Sequence, residues 1–370
     1  MRHSGSQGIL VLSYVDYPSY VGLSRRISGI LNSLHSSNIP YQVISPIFRS
    51  PDAPDLPQAT RVDLRFLRAL GPDRLVTKIL ALIFFSLFAF VKILVLRKEI
   101  LAVQYESIYS FPSAFLARMF CRCPIIGDDV LILRSSRLSR LLASVVIATT
   151  DLILSSTEAT LLRSSEPGRI LYVPNGINTD FVLNRSSMSF DKIRAVFTGT
   201  MSYQSNREAA LHLLELASKL PKECKIQIQI IGGPVPKELA SNGKVRFLGQ
   251  LDDPSLLEIY KDANVGILPF FGIPAEGPKV KVLEYAAAQL LVISSPEGVQ
   301  GYRDFVPWKH YVPVDSFREM IEVMSDILRA PNFHAEIAKR GQRLAMTRYK
   351  WPDLLSPYLN LMQKLRTEFD

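Results

Sequence analysis

The chain has 370 residues, 48% hydrophobic and 21% charged, which excludes a disordered or fibrous protein and favours two folded domains over one. Its net charge of +9 is uneven: residues 1–172 hold 19 Lys+Arg against 12 Asp+Glu, and the remainder 24 against 22. The basic first half should be drawn to something anionic; it shows no nucleic-acid-binding motif, and because it also holds the most apolar stretch, an anionic membrane surface is the expected partner.

The polar opening MRHSGSQG and the brief apolar run after it do not make a secretory leader. Three cysteines, Cys121, Cys123 and Cys224, form neither a disulfide framework nor a zinc pattern. A cytoplasmic setting is therefore expected. Residues 8–15 read as a buried parallel strand, 24–35 as a helix and 41–45 as a second strand, a β-loop-α-β opening. Residues 48–60 are loop, and 62–67 read as a short strand.

Residues 76–96, VTKILALIFFSLFAFVKILVL, are the most apolar stretch. Three readings compete: a buried core helix, a helix lying in the membrane interface, and a spanning helix. Spanning is disfavoured because the strand–helix pattern continues on both sides. A helix partly packed and partly lipid-facing combines the other two. Strands at 100–105 and 124–127 then end in Glu106 and in the pair Asp128–Asp129. Ligands bind at such strand tips; capping or loop solvation is the bland alternative. Strands at 151–155 and 170–173 complete the first domain.

VPNGIN, 173–178, is a natural hinge. A second α/β set follows: strand IRAVFTGT at 193–200, helix 207–220, strands 225–231 and 245–251, helix 252–263 and strand 264–269. Then comes PAEGPKVKVLEYAAAQLLVISSPEGVQGY, 274–302, read as loop, helix, strand and loop. Pro278 suits a first helical turn. Lys279 and Lys281 stand near the helix N-terminus, which attracts phosphate. Glu284 can accept hydrogen bonds from ribose hydroxyls, and Glu276 can reach a sugar. Residues 351–365 form a last amphipathic helix.

Glu276 and Glu284 have seven residues between them, and with the flanking VISSPEGVQG they resemble the E-x7-E region of retaining GT-B glycosyltransferases of family 4. Gly277, Lys281 and Glu284 match a G-x-x-x-K-x-x-E run. The ordered series of F-x-G at Phe197 and Gly199, IIGGP, VRFLG and IYKDAN is similar to the nucleotide-sugar half of that family. The resemblance implies an α/β fold of the GT-B kind: two Rossmann-like domains with a deep interdomain cleft. An acceptor domain at 1–172 would carry the membrane-associating helix of about 76–96. A nucleotide-sugar domain would follow at 173–348, and a helix at 349–370 would cross back to the first domain.

The same resemblance implies retaining transfer of a sugar from a nucleotide diphosphate sugar to a glycan hydroxyl. The basic first half and the apolar helix suggest a lipid-linked acceptor at the inner face of the cell membrane, with a soluble acceptor the alternative if that helix is buried. Gly22, Gly199, Asn206, Gly249, Lys279, Lys281 and Glu284 would hold the donor. Glu276, Lys281, Asp128 and Asp129 would serve the chemistry. No cofactor and no metal would be required, in keeping with the lack of a D-x-D motif. The chain departs from the family in having one glycine, Gly22, in the first loop. It also lacks the usual Arg and Lys in the loop before Arg207. A nucleotide-sugar 2-epimerase, or a non-catalytic partner in glycan assembly, is the alternative; the five histidines are scattered without the grouping an epimerase needs.

Overall fold

The computed structural model describes residues 7–14, 22–47, 58–70, 75–129, 144–157, 167–185, 188–220, 225–234, 243–273 and 277–369. The chain divides into two compact units. The first is built chiefly of Leu23–Val173 and Leu355–Asp370, the second of Pro174–Leu354. The last helix, Trp351–Phe369, thus contributes residues to both.

The first unit has seven parallel strands: β1 Gly8–Leu12, β2 Tyr41–Ile47, β3 Ala59–Asp63, β4 Ile100–Tyr105, β5 Ile125–Asp128, β6 Leu152–Ser155 and β7 Ile170–Tyr172. Their order in the sheet is β3-β2-β1-β4-β5-β6-β7. Every residue of β4 is buried, as expected for a central strand covered on both faces. Its one amide, Gln104, is satisfied by the Tyr358 hydroxyl at 2.7 Å. An unbonded amide there would carry a desolvation cost.

Around this sheet lie helices α1 Gly22–Ser36, α2 Leu75–Leu96 and α3 Phe111–Cys121. The expected strand at 62–67 is replaced by the end of β3 and a 3-10 turn, Arg65–Leu70. Helix α2 is buried only along Thr77, Ala81, Phe85, Ala89 and Ile93. That four-residue step draws a narrow stripe along one side of a helix. The stripe joins the core with Leu10, Leu12, Val103, Tyr105 and Ala114. The core reading therefore describes one side of α2, and the other side is exposed.

The second unit has six parallel strands: β8 Ile193–Thr198, β9 Ile226–Ile231, β10 Val245–Gly249, β11 Val265–Leu268, β12 Leu291–Ser294 and β13 Val312–Pro313. Their order is β10-β9-β8-β11-β12-β13. In both units the chain leaves the central strand to one side and returns on the other. The crevice at the carboxyl ends of the two central strands is where such sheets take ligands. It falls between β1 and β4 in the first unit and between β8 and β11 in the second.

The helix after β11 runs Val280–Ala287, starting later than the sequence suggests. Lys279 is its N-cap, so Pro278 lies before the helix, and the Pro278 carbonyl accepts from Asn175 Nδ2 at 3.2 Å. Tyr285 ties this helix to the sheet. Its fully buried hydroxyl accepts from the Thr198 amide at 2.7 Å and meets Thr198 Oγ1 at 3.1 Å. Replacing Tyr285 by Phe strands the Thr198 amide in the core. The expected cost is about 1–3 kcal/mol, read as a lower denaturant midpoint with an unchanged m-value.

Candidate functional site

The second unit gathers most of the donor residues anticipated above at the crevice between β8 and β11. After β8 the chain turns through Gly199 and Thr200 into the helix Gln204–Lys219. Asn206, in its first turn, donates from Nδ2 to the Thr200 carbonyl at 3.0 Å. That bond fixes the amide, and its Oδ1 accepts from Lys281 Nζ at 2.9 Å. A Cβ on Gly199 would lie 2.7 to 2.9 Å from the Asn206 side chain, so Gly199 leaves room for the amide. Gly232, at φ +140, donates to the Gly249 carbonyl at 2.6 Å, and a Cβ there would collide with the Gly199 carbonyl at 1.9 Å. Gly199, Gly232 and Gly249 thus close the tips of three neighbouring strands.

Lys281 reaches this point from the other side of the crevice. Its ammonium lies 4.3 Å from the Phe197 ring centre and 5.3 Å from that of Phe270. The Lys279 ammonium lies 4.4 Å from the Phe270 ring centre. Aromatic faces attract cations, so the two rings hold two ammonium groups side by side. Burial pushes Lys281 well below the ordinary lysine range; Lys279 adds to the shift and Glu284 opposes it. Glu284 is buried, and its Oε2 accepts from the Tyr260 hydroxyl at 3.3 Å. An arriving phosphate would supply the negative charge that restores the charged form of Lys281. Phe270 was not legible as a site residue: an aromatic after an apolar strand reads as core. Phe197 was visible only as part of F-x-G.

Glu276 lies outside the described residues. Gly22 is the first residue of α1 rather than part of a loop. In the first unit, Arg26 and Asp128 are committed to each other. Arg26 Nη2 and Nε donate to Asp128 Oδ1 at 2.8 and 3.0 Å, and Nη1 donates to the Val173 carbonyl at 2.9 Å. Both side chains are buried. Arg26 is therefore a strut at the strand tips. Asp129, at φ +46, accepts from the Ser156 amide and hydroxyl at 3.1 and 2.6 Å. Glu106, at the tip of β4, is nearly fully buried and accepts the Tyr14 amide from the end of β1. Its Oε2 has no hydrogen-bond partner among the described residues.

Residues 192–330 match the family model described as Glycosyl transferases group 1. No curated protein matches the chain. Among solved structures, the sucrose-phosphate synthase of Thermosynechococcus elongatus superimposes with a TM-score of 0.76 at 16% identity, covering 98% of this chain and 100% of that one. Anabaena Alr3699/HepE in complex with UDP superimposes at 0.70 and 11% identity, covering 97% and 100%. A glycosyltransferase of Rickettsia africae ESF-5 does so at 0.68 and 13%, covering 97% and 98%. The two-sheet architecture is thus the GT-B fold, and 192–330 is a group 1 glycosyltransferase domain. The chain is a transferase enzyme.

The first unit carries a pH signature. Burial raises Glu106 from 4.5 to about 7, a shift that the Tyr14 amide and the Ser13 hydroxyl offset in part and the Asp128 charge increases. The folded protein therefore holds a proton that the unfolded chain releases near 4.5. Stability conferred below that value is lost as pH rises through about 7. By linkage the loss is on the order of 3 kcal/mol. Denaturant unfolding of the wild type should show it between pH 4.5 and 7.5, and Glu106→Gln should flatten that slope. A slope unchanged in the variant would assign the titration elsewhere.

Proposed function

We propose that this transferase moves a sugar from a nucleoside diphosphate sugar to a hydroxyl of a lipid-linked glycan, with retention at the anomeric carbon. It would act at the inner face of the cell membrane, in building a cell-surface glycan. One observation carries the donor half of the reading: the Lys281 ammonium, seated on Phe197 and bonded to the neutral Asn206 amide, at the crevice between β8 and β11. A cation held by an amide and an aromatic ring remains available to an anion. Anabaena Alr3699/HepE, of similar fold, has been solved with UDP and with UDP-glucose.

In the reaction the bond from the anomeric carbon to the diphosphate breaks, and a bond to the acceptor oxygen forms. The hydroxyl proton leaves with the departing diphosphate. Charge grows on the leaving group, and pre-placed positive groups that meet it supply most of the rate enhancement in such sites. Lys281, Lys279 and the N-terminus of the helix Val280–Ala287 are those groups. They do the work a divalent cation does elsewhere, so the reading requires no metal and no cofactor. Glu284 holds the ribose, the chain around Gly249 lies against the base, and Glu276 orients the donor sugar. Asp128 and Asp129, through Arg26 and Ser156, shape the acceptor side. The lipid acceptor is supported by the apolar outward side of α2.

Calorimetric titration with UDP, GDP and ADP tests the donor site. Wild type should bind one of them saturably, and Lys281→Ala and Glu284→Ala should each weaken it at least about tenfold, roughly 1.4 kcal/mol. A folded wild type that binds none of the three would sink the transferase reading in favour of a non-catalytic partner.

A further inference from the structure

Helix α2 differs from an ordinary surface helix on its outward side. A helix on the outside of a soluble α/β unit turns apolar residues inward and polar residues to water. Here the outward side is apolar as well as the inward one. Val76, Ile79, Ile83, Leu87, Val91 and Val95 are all exposed, with Leu87 at 58% and Val91 at 59%. Only 22% of the most apolar window of this helix is buried. Met119 and Phe120 of α3 are exposed beside it, and the Phe120 ring lies 5.2 Å from that of Phe90. The apolar surface therefore spans two helices, and contiguous surfaces of this kind mark interaction sites.

The helix does not leave the fold. Its buried stripe runs from Thr77 to Ile93, a rise of about 24 Å, and packs on the core for that whole distance. A spanning helix would have to give up that packing. Beside the outward face is a groove of about 330 Å³ between α2 and the 3-10 turn. Val62, Leu64, Phe66, Phe84, Leu87 and Val91 line it, and the only charged lining residue among the described residues, Asp63, is paired with Arg65 at 2.6 Å. Residues 75–98 hold four bases, Lys78, Lys92, Arg97 and Lys98, and no acid, with Glu99 next in the chain. Lys78, Arg97 and Lys98 are exposed near the two ends of the helix. Apolar side chains along the middle and bases at the rims fit the acyl region and the anionic headgroups of a bilayer.

We infer that the outward face of α2 docks flat in the interface of an anionic bilayer, with a hydrocarbon chain of one lipid seated in the groove beside it. The inference rests on the lipid-acceptor reading above and gives that reading its surface. A helix lying in this way sinks about 5–10 Å into the headgroup boundary. It leaves the sheet of the first unit outside the lipid.

Flotation of the full chain with phosphatidylcholine vesicles, with and without phosphatidylglycerol, tests it. Wild type should float with the anionic vesicles and less with the neutral ones. The double variant Leu87→Glu with Val91→Glu should lose at least about tenfold in partition, with circular dichroism and nucleotide titration unchanged. Phe84→Trp places a reporter at the groove. Its emission should be quenched by lipids brominated along the acyl chain, over the background of Trp308 and Trp351. Failure of wild type to float, flotation unaffected by the double variant, or an unquenched reporter would each overturn the docking. So would a wild-type dimer that the double variant dissociates, which would assign the face to a second copy. Nucleotide binding retained without flotation removes the docking alone; flotation retained without nucleotide binding removes the donor site alone.

Discussion

A lysine ammonium held, among the described residues, by an amide and an aromatic ring is the constraint on which the second unit depends. A salt-bridged lysine would arrive at the crevice already neutralised. Among the described residues Lys281 instead rests on Phe197 and donates to the oxygen of the Asn206 amide. Much else follows from keeping it there. Gly199 must lack a side chain so that Asn206 fits, and Gly232 must lack one so that Gly199 does. Tyr285 must anchor its helix to Thr198, because a small rotation would carry Lys281 off the ring. A charge placed in this way is worth more to a developing anion than one that must first be freed from a partner.

The two units share a strand order but hold opposite charges at their crevices. In the first, the tips of β1 and β4 meet through the Tyr14 amide and Glu106, and Asp128 follows on β5 bonded to Arg26. Desolvation governs both carboxylates and raises them. In the second, desolvation lowers Lys281. The same burial thus pushes each group toward its neutral form, and a ligand of opposite charge or a hydrogen-bonding hydroxyl reverses the push. One backbone plan, run twice, makes two electrostatically different edges.

Helix α2 shows a second use of a common element. Its inner stripe meets the core with small residues at Thr77, Ala81 and Ala89 and large ones at Phe85 and Ile93. Small side chains let the helix sit close to the strands. The outer side is then free to differ in chemistry from that of a solvent-facing helix. Mean composition cannot separate these two sides, because both are apolar. Only the burial of each residue does so.

The alternation of apolar strands with helices was sufficient to place both α/β units, since strands buried on both faces must be continuously apolar. The family resemblance also placed Gly199, Asn206, Lys279, Lys281 and Glu284 in one ordered series. Ordered series of this kind survive because the crevice is made by consecutive strand tips. What the sequence could not show was pairing across long separations. The Arg26–Asp128 bond spans 102 residues and the Lys281–Asn206 bond 75. Asp128 therefore looked like an available carboxylate, and Phe270 like ordinary core. Likewise, the start of the helix at Val280 was set by the fold around Pro278 and Asn175, not by the propensity of Pro278 for a first turn. Sequence period decides which elements form. Which side chains meet, and which side of an apolar helix faces outward, is decided by where the sheets bring distant residues.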